Sequence, residues 1–368
     1  MKYLFIVQGE GRGHLTQALT LRNTLEKNGH QVVAVMVGCS ATRNIPDFFV
    51  QKFDKNIERF MSPNFLPAPK GKSSFLLASI IYNILLIPSY LKSIIHINNT
   101  IKKHQPDVVV NFYELLCGLT YGIFQPKPKM ISIAHQYYFL TKNFSYNGNK
   151  KFEFLMLKLF TRFTALNANK ILALSFRNER AHNDEFIQIV PPLLRIEVLN
   201  VSCKKGDYIH GYMLNAGFAD SLMQWSKNNA QHKLHFFWDR ADVSDNFMLT
   251  NSLCMHKLDD KAFLNYMANS KAYATTGGFE SVCEAMYMHK PVLMVPAHIE
   301  QACNIIDAQK SGAGVEADSF DISKLLEFTP FYQPDTNFRT WCNSAESIYL
   351  YELVNITSSK KFILASLY

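Results

Sequence analysis

Short apolar runs alternate along the chain with longer stretches in which apolar residues recur at helical spacing. In the first half, β-branched and apolar runs predict strands at 3–8, 31–37, 107–111, 130–134, 170–174 and 187–190. Helical spacing appears at 14–28, where Leu15, Ala18, Leu19 and Leu25 share a face, and at 152–165. This alternation is typical of parallel sheets that are covered by helices.

A second alternation follows the pair Pro191-Pro192, which we interpret as a hinge. It predicts strands at 208–214, 234–238, 253–256, 272–275 and 291–295, and helices at 219–227, 260–268, 279–288 and 301–310. We therefore expect a doubly wound α/β protein with two Rossmann-like domains, 1–192 and 193–336, which face each other across a cleft. The segment 337–368 is helical in character and lacks a strand partner, and a return to the first domain is one arrangement open to it.

One stretch departs from this alternation. Residues 75–97 carry a single charge, Lys92, within an apolar-basic insertion at 70–103 that has two lysines at each end. The length permits a membrane span, but an asparagine, a proline and three serines lower its hydrophobicity. We favour a pair of apolar helices that packs on the first domain and meets a bilayer surface; an ordinary buried helix pair is the alternative.

Composition and charge narrow the class of protein. The 368 residues are 48% hydrophobic and 18% charged, which is typical of a folded chain with large cores. Residues 1–195 carry 24 basic against 11 acidic side chains, a balance of +13, whereas the remainder has a balance of −5. We expect the basic half to meet an anionic partner such as a membrane surface. The seven cysteines are scattered without a CxxC pair, so we expect reduced thiols, a cytoplasmic location and no metal site.

A glycine-rich loop links the first predicted strand to the first helix. It reads Gln8-Gly9-Glu10-Gly11-Arg12-Gly13-His14, and its backbone amides can approach a ligand closely. Leu15 stands two residues beyond Gly13, where the dinucleotide fingerprint requires glycine, and no acidic residue closes the second strand. An NAD site is therefore disfavoured, whereas His14 at the helix start is a candidate base or hydrogen-bond donor.

The strongest pattern lies at 275–304. A strand there ends in a Gly-Gly turn, and the helix amides after Gly278, together with Ser281, can cradle a diphosphate. Glu284, one helical turn further, can accept both hydroxyls of a ribose, while Gln301 and Asn304 share a helix face and can bind sugar hydroxyls.

These motifs resemble the GT-B glycosyltransferases. GGxxSxxEA, KPVLMVP and HxxQxxN, in this order, are similar to the donor site of the MurG-like, family 28-type group and of the UDP-glycosyltransferases. The opening loop resembles the GGxGH loop of that family, and Ile133–Gln136 resembles its IHEQ strand end. The resemblance implies a GT-B fold, a UDP-sugar as donor and no further cofactor.

The resemblance also implies site residues. For the donor they are Gly11, Gly13, Asn215, Leu258, Thr276, Gly277, Gly278, Glu280, Ser281, Glu284, His298, Gln301 and Asn304. Leu258 would contact the base and Glu284 the ribose. Asn215 stands in a loop that is glycine-rich in the family but reads Asn-Ala-Gly-Phe here. His135 and Gln136 would place the acceptor.

The resemblance bears on the reaction as well. Retaining GT-B enzymes often carry two glutamates eight positions apart, but Thr276 stands eight positions before Glu284. This favours inversion, in which a base deprotonates the acceptor hydroxyl; His14 is the first candidate, and Glu10 and Glu114 are alternatives. No DxD motif occurs in the sequence, so we expect helix amides rather than a metal to meet the charge of the leaving group.

The sequence leaves the acceptor open, and it offers alternatives to glycosyl transfer. The acceptor is a membrane lipid, a lipid-linked carrier or a soluble molecule, and a peripheral position on the inner face of the cytoplasmic membrane suits the first two. A non-hydride nucleotide-sugar epimerase would share the donor residues, and a catalytically silent GT-B protein would be a membrane-associated binding partner. Nucleic-acid binding is disfavoured because the basic half lacks interleaved aromatic residues and clustered arginines. The sequence leaves the oligomeric state open.

Overall fold

The computed structural model describes residues 1–41, 43–53, 57–64, 76–180, 186–213, 216–238, 246–356 and 362, with the side chains of 76–80 and 216 left aside. The chain divides into two units. Unit 1 contains Met1–Leu66, Phe75–Arg195 and Trp341–Tyr368, and unit 2 contains Ile196–Thr340. All seven cysteines lie in the described residues; six of them are buried, and none forms a disulfide.

Unit 1 is built on a parallel sheet of seven strands in the order β3-β2-β1-β4-β5-β6-β7. The strands are β1 (Lys2–Gln8), β2 (Gln31–Cys39), β3 (Ile57–Met61), β4 (Val108–Phe112), β5 (Lys129–Ala134), β6 (Lys170–Leu174) and β7 (Ile187–Val190). The helices are α1 (Arg12–Lys27), α2 (Asp47–Phe53), α3 (Leu76–Leu85), α4 (Ile87–His104), α5 (Leu115–Phe124) and α6 (Lys151–Thr164), with a 3-10 helix at His135–Leu140.

The centre of this sheet is buried because its strands are almost wholly apolar. β4 is buried along its whole length and β1 over most of it, which is characteristic of strands covered by helices on both faces. The strand order reverses between β1 and β4, so the loops after these two strands diverge at the carboxyl edge of the sheet. Doubly wound sheets bind ligands at such a point.

The edge strand β3 lacks the run of apolar residues that predicts the other strands of this sheet. Its sequence, IERFM, has two adjacent charged residues, Glu58 and Arg59. The guanidinium group of Arg59 donates to the carbonyl oxygens of Ser40, at 2.6 Å, and of Arg43, at 2.9 Å. The guanidinium group of Arg59 thus fixes the loop after β2. The two charged residues interrupt the run of apolar residues by which a strand is predicted from sequence.

The apolar stretch after residue 75 forms the predicted pair of helices, α3 and α4. The pair breaks at Leu86, and Pro88 lies in the first turn of α4, where a missing backbone N–H costs nothing. One face of α4 is buried through Ile94, Ile97 and Ile101. Among the described residues, no helix has the length and apolar character needed to cross a bilayer.

Unit 2 has its own sheet of seven strands, in the order β10-β11-β9-β8-β12-β13-β14. The strands are β8 (Tyr208–Met213), β9 (Lys233–Trp238), β10 (Phe247–Met248), β11 (Leu253–Lys257), β12 (Ala272–Thr275), β13 (Val292–Met294) and β14 (Gly314–Glu316). The helices are α7 (Ile196–Leu199), α8 (Ala219–Asn228), α9 (Asp260–Ala268), α10 (Phe279–Tyr287), α11 (Ile299–Lys310) and α12 (Ile322–Phe328), with 3-10 turns at Ala216–Phe218 and Thr329–Phe331.

The predicted α/β fold with two Rossmann-like domains is confirmed, and the sequence did not predict the edge strand β10 of unit 2. β10 pairs with β11 in the antiparallel direction, because the chain returns through a short connection instead of a crossover helix. β10 has only two residues, both exposed, so it gave no pattern in the sequence. The other pairs of this sheet are parallel.

The last part of the chain is helical, with α13 (Thr336–Asn343) and α14 (Ala345–Val354). Its residues from Trp341 onward belong to unit 1. The Trp341 indole donates to the carbonyl oxygen of Ser175 at 3.0 Å, and the Tyr349 hydroxyl donates to that of Pro191 at 2.9 Å. Buried polar side chains therefore fasten this segment to the strands of unit 1.

Candidate functional site

In unit 2, the turn between β12 and α10 has the geometry of an anion site. Gly277 has a φ of +79°, a conformation that favours glycine. Gly278 then caps α10 without a side chain, so the first helix amides point outward from the positive end of the helix. The hydroxyl of Ser281 donates to the Gly278 carbonyl at 3.2 Å and completes the first turn.

Helix α11 fixes this turn from behind. The side-chain Nδ2 of Asn304 donates to the Gly277 carbonyl at 3.2 Å. A Cβ atom placed on Gly277 would lie only 2.8 Å from two side-chain carbons of Ile305. The contact leaves no room for a side chain, so the glycine is required both by its φ and by the approach of α11.

The polar side chains around this turn are largely buried. Glu284 is 3% exposed and lies three residues after Ser281, hence on the same helix face. Thr276, the residue after β12, is 1% exposed. Glu280, in the first turn of α10, is half-buried, and its carboxylate stabilises the positive helix end.

The side chains of Gln301 and Asn304 both hydrogen-bond to backbone groups, which the sequence did not reveal. The side-chain oxygen of Gln301 accepts from the Ala297 backbone N–H at 2.9 Å, so the NH2 group is the part of this amide that can donate to a ligand. The Asn304 side-chain oxygen is buried and makes no hydrogen bond within the described residues. It is therefore an acceptor whose hydrogen-bonding capacity is unused.

In unit 1, the glycine loop places His14 in the first turn of α1. Gly11 is the N-cap, and a Cβ atom there would meet nothing within 4 Å. Glu10 turns back toward the sheet, where its carboxylate accepts from the Ser40 backbone N–H at 2.6 Å. Since this contact occupies Glu10, His14 is the better placed of the two candidate bases.

The imidazole of His14 is held by two neighbours. Its Nδ1 lies 3.2 Å from the side-chain oxygen of Gln17, and its ring stacks on Tyr113 with a centroid distance of 5.5 Å. In the tautomer in which Nδ1 donates to the Gln17 oxygen, Nε2 carries the lone pair of the ring. This tautomer suits a general base.

Glu114 and His135 lie in the interior of unit 1. Glu114 is fully buried and accepts from the Ser62 hydroxyl at 2.6 Å; burial raises its pKa to about 7. His135 is 2% exposed, its Nδ1 lies 2.7 Å from the Leu174 carbonyl, and burial lowers its pKa to about 3. Both are buried as deeply as Glu284 in unit 2, and their roles as alternative base and as acceptor contact stay predictions.

Comparison with known proteins identifies the family. The profile of glycosyl transferase family 1 matches residues 1–330, most of the chain. The chain belongs to this family. No curated protein sequence matches it significantly. The family match does not extend to the MurG-like group, which stays an expectation.

Solved structures share the fold of this glycosyltransferase at low sequence identity. The glycotransferase of kitacinnamycin is 12% identical, with a TM-score of 0.65 over 96% of this chain and 97% of that chain. Phytolacca americana UGT2, complexed with UDP-2fluoro-glucose and pterostilbene, is 11% identical, with a TM-score of 0.63 over 96% and 98%. UDP-GlcNAc 2-epimerase from Neisseria meningitidis, bound to UDP-GlcNAc, is 13% identical, with a TM-score of 0.62 over 96% and 100%.

The structure gathers the predicted site residues of the glycosyltransferase into two groups. In unit 2, one group surrounds the β12–α10 turn. The half-buried His298 is the N-cap of α11, and Leu258 directly follows β11. In unit 1, Glu10 lies in the β1–α1 loop and His14 in the first turn of α1, while Gln136 is 5% exposed beside His135. Asn215 lies outside the described residues.

Two residues of this glycosyltransferase site were missed, Gln17 and Tyr113. Gln17 is 2% exposed, and its spacing of three from His14 on one helix was a signal that sequence analysis had available. Tyr113 has a φ of +60°, which directs its ring toward α1 from the loop after β4. Nothing in the sequence marks that conformation.

Proposed function

We propose that the protein transfers a sugar from a UDP-sugar to a hydroxyl group of a membrane lipid or lipid-linked carrier, with inversion and without a metal. The observation that carries the proposal is the turn at Gly277 and Gly278. There, a strand end, uncapped helix amides and the buried Glu284 present donors for a diphosphate and an acceptor for ribose hydroxyls. The solved structures with UDP-2fluoro-glucose and UDP-GlcNAc support a uridine nucleotide.

A nucleotide panel tests the donor assignment. We expect UDP and UDP-sugars to raise the melting temperature of the full chain more than GDP or dTDP. Glu284→Gln should weaken UDP binding about 10- to 100-fold, because it removes a charged hydrogen-bond acceptor worth about 1.5–3 kcal/mol. Glu327→Gln, at an exposed position of the same unit, is the matched control and should bind UDP like the natural chain. If no nucleoside diphosphate stabilises the protein, the proposal fails.

For the chemical step, we assign the role of base to His14, which lies in the first turn of α1 and whose ring is held by Gln17 and Tyr113. The base takes the proton of the acceptor hydroxyl as its oxygen attacks the anomeric carbon, and UDP leaves with the electron pair of the glycosidic bond. Thr276, which replaces the first glutamate of retaining enzymes, favours this single displacement. The anomeric configuration of the product, determined by NMR, tests inversion.

The lipid acceptor is supported by exposed apolar side chains on α3 and α4. Leu85 is 74% exposed, and Ile84, Leu91 and Ile95 are each half exposed or more. The exposed Lys92 lies among them. Apolar side chains next to a basic residue suit the surface of an anionic bilayer, where each buried Leu or Ile contributes about 1.5–3 kcal/mol.

Vesicle binding tests this surface. We expect the chain to sediment with phosphatidylglycerol vesicles and less with phosphatidylcholine vesicles. Leu85→Asp combined with Leu91→Asp should abolish sedimentation, whereas Phe331→Asp, at an 81% exposed position of unit 2, should not change it. Equal sedimentation of all three proteins would contradict the membrane assignment.

An epimerase is the second candidate, because UDP-GlcNAc 2-epimerase shares the fold over 96% of this chain. The two reactions differ in their need for an acceptor. Incubation with UDP-GlcNAc alone, followed by chromatography of the nucleotide sugars, would reveal the 2-epimer if the protein is an epimerase. A transferase should leave this pool unchanged until an acceptor is added.

A further inference from the structure

Three metal-ligating side chains meet on one face of the unit 2 sheet. His235 lies on β9, and Cys254 and His256 lie on the neighbouring β11. Cys254 pairs directly with His235 in the parallel register, and His256 follows two residues later, hence on the same face. Their ligand atoms all lie within 4.8 Å of one another, and His235 Nδ1 is 2.9 Å from His256 Nε2.

These ligand types and distances fit a tetrahedral transition metal. Zinc binds imidazole nitrogen at about 2.0–2.1 Å and thiolate sulfur at about 2.3 Å, so neighbouring ligands of a tetrahedral site are about 3.5 Å apart. The present separations lie on both sides of this value, at 2.9 Å between the two imidazole nitrogens and at most 4.8 Å within the cluster. Nitrogen and sulfur ligands favour zinc over magnesium or calcium, which prefer oxygen.

The surroundings are those of an enclosed site with one opening. The Tyr266 ring, on α9, contacts both imidazoles, with centroids 4.7 Å from His256 and 4.9 Å from His235. His256 and Cys254 are 4% and 7% exposed, whereas His235 is half-buried. Residues that alternate with them, such as Leu234 and Met255, enter the hydrophobic core on the opposite face.

We propose that His235, Cys254 and His256 bind one zinc ion, with water as the fourth ligand on the open side of His235. The ion would tie β11 to β9, two residues before Leu258. Its place within the strands, away from the turn at Gly277, gives it a stabilising role. The proposal does not depend on the identity of the sugar donor, and it departs from the expectation from sequence, which was that the chain has no metal site.

Cobalt titration tests the site, since four-coordinate cobalt with a thiolate ligand has intense visible bands and a near-ultraviolet charge-transfer band. The full chain would be treated with EDTA, dialysed under reducing conditions and titrated with Co²⁺. We expect saturation at one equivalent, displacement by Zn²⁺ and a higher melting temperature with Zn²⁺. Cys254→Ser should lose the charge-transfer band, and His235→Gln should weaken the cobalt affinity at least about tenfold.

Matched controls are Cys203→Ser and His232→Gln, two half-buried residues of the same unit outside the cluster, which should titrate like the natural chain. If the histidines only hydrogen-bond to each other, saturable cobalt binding will be absent, and the proposal is overturned. An unchanged spectrum in Cys254→Ser would overturn it equally. Should Cys254→Ser fail to fold by circular dichroism, His235→Gln decides alone, because full cobalt affinity in this variant would contradict the ligand set.

Discussion

Replacing Gly277 with alanine is expected to damage both the stability of unit 2 and its donor site. Gly277 has a φ of +79°, and a residue with a Cβ atom pays about 1–2 kcal/mol in this region. The new Cβ would also lie 2.8 Å from Cγ1 and Cδ1 of Ile305, which is fully buried and cannot swing away. Overpacking of this kind costs about 1–3 kcal/mol, so we expect a total loss of about 2–5 kcal/mol.

Gly312→Ala is the matched control for this substitution. Gly312 lies in the same unit with a φ of +71°, but a Cβ atom there would meet nothing within 4 Å. Its expected loss is the backbone cost alone, about 1–2 kcal/mol. The difference between the two variants therefore measures the contact between the turn and α11.

Urea unfolding gives the stability of each variant, and isothermal titration calorimetry gives its affinity for UDP. We expect Gly277→Ala to be less stable than Gly312→Ala and to bind UDP more weakly, because the displaced turn moves the first amides of α10. Gly312→Ala should keep the affinity of the natural chain. If the two variants lose the same stability and bind UDP equally, the close approach of α11 does not shape the donor site.

Three further outcomes follow from the contacts of unit 1. His14→Asn should lower the transfer rate about 10²- to 10⁴-fold in initial-rate assays and leave UDP binding intact by calorimetry; an equal loss of binding would exclude the role of base. Burial raises the pKa of Glu114 from 4.5 to about 7, so the folded state holds this proton more tightly than the unfolded state, and stability falls as pH rises from about 4.5 to 7. The stability of Glu114→Gln relative to the natural chain should therefore rise by up to about 3 kcal/mol between pH 5 and pH 8, as measured by urea unfolding. If the difference in stability between the two proteins does not change with pH, the raised pKa is refuted. Trp341→Phe should lower the free energy of unfolding by about 1–2 kcal/mol in thermal unfolding, because the buried Ser175 carbonyl loses its hydrogen-bond donor. An unchanged free energy of unfolding would show that this hydrogen bond does not contribute to stability.

Much of the secondary structure could be predicted because local patterns determine it. The helix at 260–268 and the strand at 272–275 have the predicted bounds. Apolar spacing fixes such elements, and glycine pairs mark turns that other residues cannot form. The Gly-Gly turn at 277–278 was found for that reason, since its φ restricts the residue type.

Elements with weak patterns were missed. β3 carries two charges, and β10 has two exposed residues, so neither produces apolar alternation. β14 is only three residues long and begins with Gly314, which accommodates a close approach of the Val292 carbonyl. Their pairing with neighbouring strands, rather than their own sequence, makes them strands.

The accessibility of the candidate residues depended on the tertiary structure. Glu114 and His135 follow strand ends, where catalytic residues are often found, yet both are buried by contacts with residues distant in sequence. Conversely, the stacking partner of His14, Tyr113, comes from 99 positions away because β1 and β4 are neighbours. The sequence names the residue types, but the sheet order decides which of them meet.

The sequence by itself thus determined the family-level architecture and the Gly-Gly turn before α10, because apolar spacing and the conformational freedom of glycine are local properties. Only the tertiary structure decided the surroundings of His14, the second duties of Gln301 and Asn304, and the meeting of His235 with Cys254 and His256. Those contacts join residues on different strands and helices. Strand register and helix packing set their distances, and neither is written in any short stretch of the chain.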